Sequence, residues 1–597
     1  MTIMWGDVLR KLGSLVTPPV GPRVRAAGRV WHLSPEGESL FGTTGPDYDR
    51  WLADGSAEVV KHGPHRTVYR VALPGGAVFV KHCRINGPRA WARELMRPPK
   101  ARLEFENATR LLVLGIGAAV PLAWGTRDSR WPGESFLITR DLAPAIPFTD
   151  YIEGRTLSAR ERQELARGLG RFLARLHDSG VTHPDPHPGN ILVEAEEPNP
   201  PTPFPKREGG VEISSPAPPS HLGKGVGGLG SALAFALLDV HAVRFGGPLS
   251  WAESRANLVL YNRWFQLRAS AADRARFWCE YRRARATLAV PREAATELER
   301  ATLASNRRFW VARTVRYQGT HRTIRKVRGG LAVRDLPAEF LAELLRDPDA
   351  AFTRPGTKLL KQCVSSTVAE LVMPTPTGPR AVILKRVNVR SALDPVKNFY
   401  RSSAVRRSWL LGHGLCERWL PTPRPLAMFH RYRLGIYPAE GYLLTEKVPD
   451  AVGLPEAVRA CRDPRVLRAW AERLARVVRA MHDRGVSHRD LKAPNVMLQG
   501  ASTDPATATP VLIDLVGVRA SADPVPFARR AKELARLNAS FLQMPHVTRG
   551  ERLRFLRTYL RAGNGEGQAD WKNWWRLVST ATAAKVAKNR HSGRTIG

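Results

Sequence analysis

The sequence predicts an α+β chain of two tandem bilobal domains, each with a small β-rich N-terminal lobe and a larger helical C-terminal lobe. Three observations predict it. The chain aligns with itself at a shift near 305 residues. Each half runs from short β-branched stretches into a long amphipathic helix. Each half then sets the same polar residues between that helix and a pair of strand-like runs.

The self-alignment is extensive. "AVFVKH" (77–82) meets "AVILKR" (381–386), laying Lys81 over Lys385 at a shift of 304. "SFLITRDL" (135–142) meets "GYLLTEKV" (441–448) at 306, and "LARLHDSGVTH" (173–183) meets "VRAMHDRGVSH" (478–488) at 305. "ALLDVHAVR" (236–244) meets "VLIDLVGVR" (511–519) at only 275. A period of this length is too long for a solenoid repeat and marks a duplicated domain. The drop to 275 has a visible cause. Asn190 and Asp239 are 49 residues apart, whereas Asn495 and Asp514 are 19 apart, and the Pro/Gly/Ser-rich stretch 196–231 fills the difference. That stretch lacks apolar periodicity and is expected to be a disordered loop, tolerable because loop entropy grows slowly with length.

The elements follow in order. Residues 1–55 read as an N-terminal extension, 56–330 as the first domain, 331–355 as a linker, 356–565 as the second domain, and 566–597 as a basic C-terminal helix or tail. In each domain, strands surround the lysine and a helix precedes the polar loop. The first such helix opens with the capping box Ser158-x-x-Glu161 and carries Leu165, Leu169, Phe172, Leu173 and Leu176. The second starts at Asp463-Pro464, with Val466, Trp470, Leu474, Val477 and Met481 as its apolar stripe. The C-terminal stretch puts Trp571, Trp574, Trp575, Val578 and Ala581 on one face, with lysines and arginines nearby. Packing of that face on its own domain is the preferred reading, and contact with an anionic membrane the other.

Composition limits the function. The 597 residues include 92 Lys+Arg against 54 Asp+Glu, a net charge of +38, which favours anionic partners or reflects codon usage. No basic stripe interleaves with aromatics and no zinc module is present, so nucleic acid is not an expected partner. Five scattered cysteines without a C-x-x-C pair argue against a disulfide framework and fit a reducing compartment. No export signal or membrane span is expected.

The repeated polar residues suit phosphoryl transfer. Asp490, Asn495 and Asp514 offer hard oxygens suited to Mg²⁺, and Lys385 ends an apolar strand that would hold its ammonium in place. "HRDLKAPN" (488–495) satisfies the catalytic-loop pattern H-R-D-L-x-x-x-N in full, and "HPDPHPGN" (183–190) keeps its His, Asp and Asn. A single Asp or Asn in a loop is usually a turn or cap residue. Three polar positions recurring in order in both halves are not explained that way.

On these residues the chain resembles the protein kinases, and within that fold the lipopolysaccharide core sugar kinases of the Kdo/WaaP family, over about 60–325 and 355–560. The resemblance implies two protein-kinase-like domains in tandem and ATP- and Mg²⁺-dependent transfer of phosphate to a sugar hydroxyl of lipopolysaccharide core. It implies Asp490 and Asp185 as catalytic bases, and Asn495 with Asp514 and Asn190 with Asp239 as metal ligands. Lys385, Lys81, Glu104 and Lys492 would be nucleotide-binding residues. It further implies ATP and a core sugar or other glycan as partners, and a cytoplasmic location, peripheral at the inner membrane. A Ser/Thr protein kinase and a pseudokinase–kinase tandem acting as a regulator are the alternatives.

The departures are specific. Neither half has D-F-G, A-P-E or a G-x-G-x-x-G before its lysine, so His65, Arg66, Ser365 or Ser366 and backbone amides would have to cover the phosphates. The short segment after Arg244 and Arg519 leaves little room for a peptide-docking platform and favours a sugar acceptor. In the first half Glu104, with Glu106 as fallback, can pair with Lys81. In the second half Ser408 stands opposite Glu104, and Asp394 is the only acid between Lys385 and Cys416.

Overall fold

The computed structural model describes residues 21–195, 233–389, 391, 400, 402–563 and 570–591. The insert 196–231, Asp394 and the end of the C-terminal tail lie outside the described residues. The chain divides into two compact units, Met1–Thr302 and Leu303–Gly597, and both mix sheets with helices.

Unit 1 holds a seven-stranded antiparallel sheet. Its order is Arg23–Ala26, Arg29–Leu33, Pro121–Arg127, Ser135–Arg140, Gly76–Cys83, Arg66–Leu73 and Ala57–His62. Helix Lys100–Val113 packs on this sheet with Ala101, Glu104, Phe105, Ala108 and Leu111 turned inward, the spacing of one helical face. A helical region follows, built on Ala159–Asp178, Trp251–Arg268 and Ala271–Ala284, with two small sheets at its edge. One of these pairs Ile191–Ala195 with Leu233–Leu237, and the other pairs Val181–Thr182 with Arg244–Phe245.

Unit 2 has a sheet of the same strand count and sequential order, from Ile324–Val327 and Gly330–Val333 at one edge to Lys358–Cys363 at the other. Its lysine strand Arg380–Val387 lies between Ser366–Met373 and Tyr437–Glu446. Its helical region is built on Pro464–Asp483, Phe527–Ala539 and Arg549–Arg561, again with two small sheets.

The segments 1–55 and 331–355, read as extension and linker, contain structured parts of the two sheets. Arg29–Leu33 pairs with Pro121–Arg127, and Trp31, fully buried, lies against Gly125. A Cβ on Gly125 would come within 2.5 Å of the Trp31 ring, so this crossing requires glycine. In unit 2, Gly330–Val333 pairs with Pro425–Arg433, and helix Ala338–Arg346 buries Phe340, Leu341 and Leu344. Residues 303–330, assigned from sequence to the first domain, fall in unit 2. Periodicity hid these hairpins because their outer strands, "RVRA" and "IRKV", are four residues long and half cationic.

The long helices form where expected. Ser158 and Glu161 exchange both bonds of the capping box, and Leu165, Leu169, Leu173 and Leu176 are buried. Asp463 caps the second helix, but the buried stripe there is Leu467, Trp470, Leu474, Val478 and Met481. Val466 and Val477 sit one position off, at its flank. Helix Trp571–His591 packs on its own unit, burying Trp574, Val578 and Thr582. Its Thr582 hydroxyl accepts from Asn538 Nδ2 at 3.0 Å, and in unit 1 Thr302 accepts from Asn262 in the same way at 3.1 Å. Among the described residues no helix is long and apolar enough to cross a membrane.

Candidate active site

In unit 1 the sheet, a helix and a short turn meet at Lys81. This residue is held in mid-sheet opposite Val68 and Leu137, and it is buried. Its Nζ lies 2.5 Å from Glu104 Oε1 and 2.9 Å from Asp239 Oδ1. Glu104 reaches it from the inward face of helix Lys100–Val113. Glu106 faces away and pairs with Arg102 at 2.7 Å, so the fallback partner does not meet the lysine. Burial works to lower the Lys81 pKa, but the two carboxylates outweigh it and hold the ammonium above its usual value.

Asp239 precedes the 3₁₀ turn Val240–Ala242 and has φ of 54°, in the left-handed region. Asp514, before the turn Leu515–Gly517, has φ of 56°. Asp tolerates this conformation better than most residues, and its recurrence in both units fixes where each carboxylate points. The two carboxylates differ in company. Arg66 grips Asp239 with two bonds, at 2.8 and 3.2 Å, alongside the Lys81 contact. Asp514 receives Lys385 Nζ on Oδ1 at 2.8 Å, and its side chain is 44% exposed. Burial would raise both carboxyls, but the adjacent cations hold both below the usual carboxylate range.

The polar loop is tied to the strand before each turn. In unit 1, Leu238 N–H donates to Asn190 O at 2.8 Å, and His183 Nε2 lies 3.4 Å from Leu238 O. In unit 2, Ile513 N–H donates to Asn495 O at 3.0 Å, and His488 Nε2 lies 3.4 Å from Ile513 O. Thus His183 and His488 support the strand, and each Asn is set beside the residue preceding its Asp. Asn190 Nδ2 donates to Asp185 O at 3.1 Å, and Asn495 Nδ2 to Asp490 O at 2.8 Å. Asp185 and Asp490 themselves are exposed. Lys492 Nζ lies 3.3 Å from Asp490 Oδ2. A Cβ added to Gly517 would sit 3.8 Å from Asp490 Cβ, so Asp490 neighbours the turn after Asp514.

Lys385 has no acidic partner on helix Ala404–Glu417: the inward position is Ser408, buried, and Glu417 is engaged by Arg313 and Tyr317. Of the residues expected to cover phosphates, Arg66 instead holds Asp239, and Ser366 is buried near Cys363 Sγ.

Sequence reasoning passed over the groups beneath each loop. In unit 1, His177 Nε2 lies 3.1 Å from Asn257 Oδ1 and its Nδ1 2.8 Å from Tyr281 OH, while Asn257 Nδ2 donates to His183 O at 2.8 Å. In unit 2, His482 meets Tyr559 OH at 2.8 Å and Glu533 Oε2 at 3.1 Å. Glu533 also accepts from His488 N–H at 2.9 Å and from the Ser487 hydroxyl. The signal was present: His177 and His482 coincide in the repeat, and Asn257 and Glu533 stand one residue before the paired "LVLYN" and "LARLN".

His177 yields a pH prediction. Burial pushes its pKa down to about 4, against a smaller upward pull from the Asn257 hydrogen bond. The folded chain holds it neutral while the unfolded chain protonates near 6.5, so stability is full above 6.5 and falls as pH drops toward 4. The expected loss is about 3 kcal/mol. Hydrogen exchange of the Ala159–Asp178 amides measures it, and His177→Gln should flatten the dependence. An unchanged slope in that variant would count against His177 as its source.

Fold and site together define a class: α+β units that present a strand lysine to a carboxylate in left-handed backbone, beside an Asp/Asn loop tied to the same strand. The lipopolysaccharide kinase (Kdo/WaaP) family model matches the chain in two segments, residues 87–201 and 397–559. Lipopolysaccharide core heptose(I) kinase WaaP of Pseudomonas aeruginosa is 32% identical over 165 residues, covering 26% of this chain and 59% of that protein. A 3-deoxy-D-manno-octulosonic acid kinase of Haemophilus influenzae is 32% identical over 116 residues, covering 19% and 43%. The chain thus spans about half the length of the curated relatives it matches. A solved structure, WaaP in complex with acyl carrier protein, aligns at 25% identity and a TM-score of 0.30, covering 42% of this chain and 97% of that one.

Proposed function

We propose that the chain is an ATP-dependent phosphotransferase whose acceptor is a sugar hydroxyl of lipopolysaccharide core, built as two protein-kinase-like domains in tandem, each including its leading hairpin and closing helix. The observation that carries it is the arrangement in unit 2. There Lys385 meets Asp514 at 2.8 Å while Asn495, bonded to Asp490, is tied to the strand before Asp514. The named kinases among the relatives support the same chemistry.

The donor set of unit 2 fits Mg²⁺. Asn495 spends its amide hydrogens on Asp490 O and Oδ2, which leaves its side-chain carbonyl as an acceptor. Lys385 takes Asp514 Oδ1, and among the described residues Oδ2 has no hydrogen-bond partner. An amide and a carboxylate oxygen are hard ligands, and a magnesium ion held by Asn495 and Asp514 would neutralise charge on the phosphates of ATP. Unit 1 does not fit it as it stands, because Arg66 and Lys81 occupy both oxygens of Asp239.

In the transfer, Lys385 binds phosphate oxygens. Asp490 accepts the proton of the sugar hydroxyl as its oxygen bonds to the γ-phosphorus, and the bond from that phosphorus to the leaving ADP oxygen breaks. Lys492, beside Asp490, is placed to bind the transferring phosphate. The net charge of +38 suits an anionic, lipid-linked glycan, and the working place proposed with it is the cytoplasmic face of the inner membrane. The test is transfer of labelled γ-phosphate to purified lipopolysaccharide. Label recovered as sugar phosphate after acid hydrolysis is the expected result, and label on protein alone would overturn the sugar reading.

A further inference from the structure

The two units diverge at one residue facing the turn carboxylate. Arg66 and Ser366 occupy the same register position. Each opens the strand next to the lysine strand, and each pairs with the residue two beyond the lysine, Cys83 or Val387. Unit 2 therefore has a hydroxyl where unit 1 has a guanidinium. In unit 1 that guanidinium lies 2.8 Å from Asp239 Oδ1 and 3.2 Å from Oδ2, the two-pronged geometry in which an arginine fork matches a carboxylate. Lys81 shares Oδ1 at 2.9 Å and also holds Glu104. Two cations face two carboxylates, and the cluster is neutral without any further ion.

A divalent cation on Asp239 would have to evict Arg66 from the same two oxygens and then stand beside the displaced positive charge. The guanidinium has five N–H groups, of which two are spent on Asp239 and the others can serve phosphate oxygens. We propose that unit 1 is a nucleoside-triphosphate site that works without a divalent cation, Arg66 taking on Asp239 the place that a metal takes on Asp514. Such a unit binds nucleotide and does not transfer phosphate, so the tandem pairs a nucleotide-responsive unit with a transferring one. This rests on the reading of both units as kinase-like.

The experiment uses the full chain and ATP, with binding measured by titration calorimetry in Mg²⁺ and in EDTA. Lys385→Ala isolates binding by unit 1, and Lys81→Ala isolates binding by unit 2. The expected result is that ATP affinity in Lys385→Ala changes less than about threefold on removing Mg²⁺, whereas in Lys81→Ala it falls about tenfold or more. Adding Arg66→Ser to Lys385→Ala should impose the same Mg²⁺ requirement on unit 1. Equal Mg²⁺ dependence in the two single variants overturns the proposal, as does binding by Lys81→Ala alone. No ATP binding by either variant in either condition removes the kinase reading itself. Should Arg66→Ser fail to fold, the comparison of the two lysine variants decides alone.

Discussion

Asp490→Asn is expected to lower the turnover number for sugar phosphorylation by about 10² to 10⁴, the range a positioned general base contributes, while the dissociation constant for ATP stays within about twofold. The amide is isosteric, so Asn495 keeps its bond to the Asp490 backbone carbonyl and the loop keeps its shape. What disappears, on the proposed role of Asp490, is the acceptor for the sugar proton. Asp185→Asn is the comparison: if unit 1 binds nucleotide without transferring phosphate, as proposed from Arg66 on Asp239, the rate should remain. Steady-state kinetics with labelled ATP measure both. A surviving rate in Asp490→Asn together with a lost rate in Asp185→Asn would move the chemistry to unit 1.

Glu533→Ala should destabilise unit 2 by about 3–5 kcal/mol, the cost of removing one partner from a buried polar pair. Glu533 is 1% exposed and accepts from three groups: the His482 ring, the Ser487 hydroxyl and the His488 amide. Without it those donors are buried with nothing to meet. Glu533→Gln keeps one carbonyl oxygen but turns an NH₂ group toward donors, so its loss should be smaller, about 1–3 kcal/mol. Burial would raise the Glu533 carboxyl, and the hydrogen bonds from His482, Ser487 and His488 prevail, holding it below 4.5. Since the folded pKa is depressed, the stabilisation is complete above 4.5 and is lost as pH falls through the folded value. The gap between wild type and Glu533→Gln should therefore narrow only under acid conditions. Urea unfolding followed by hydrogen exchange of the Pro464–Asp483 amides measures both effects, and a gap constant with pH would show that the carboxylate charge is not its source.

The chemistry-bearing residues were legible because phosphate chemistry restricts residue type and the chain keeps their spacing twice. Lys81, Asp239, Lys385 and Asp514 fell into alignment from a self-comparison, and the structure brings each lysine to its Asp. Glu104 was separable from Glu106 only by helix phase, which depends on which face the sheet covers. Arg66 was not legible as a partner of Asp239. The two are 173 residues apart, and nothing local to "GPHRTV" says whether its guanidinium meets phosphate, solvent or carboxylate. Glu533 was missed for a similar reason, being an acid in a helix full of charges whose burial appears only when that helix docks. The leading hairpins were lost to their own brevity and charge, since four-residue strands rich in arginine and lysine carry no periodic signal.

The closing helices carry one more consequence. Asn262 with Thr302 and Asn538 with Thr582 fasten helices Ala294–Arg316 and Trp571–His591 by the same pair. The matching order of elements runs from each first hairpin to each Asn–Thr clasp. Beside the lysine the units differ, with Arg66 of unit 1 corresponding to Ser366 of unit 2 and Glu104 corresponding to Ser408. Expression of either half should therefore respect the clasp: ending unit 2 at residue 565 would unpin it, however intact its polar loop remained.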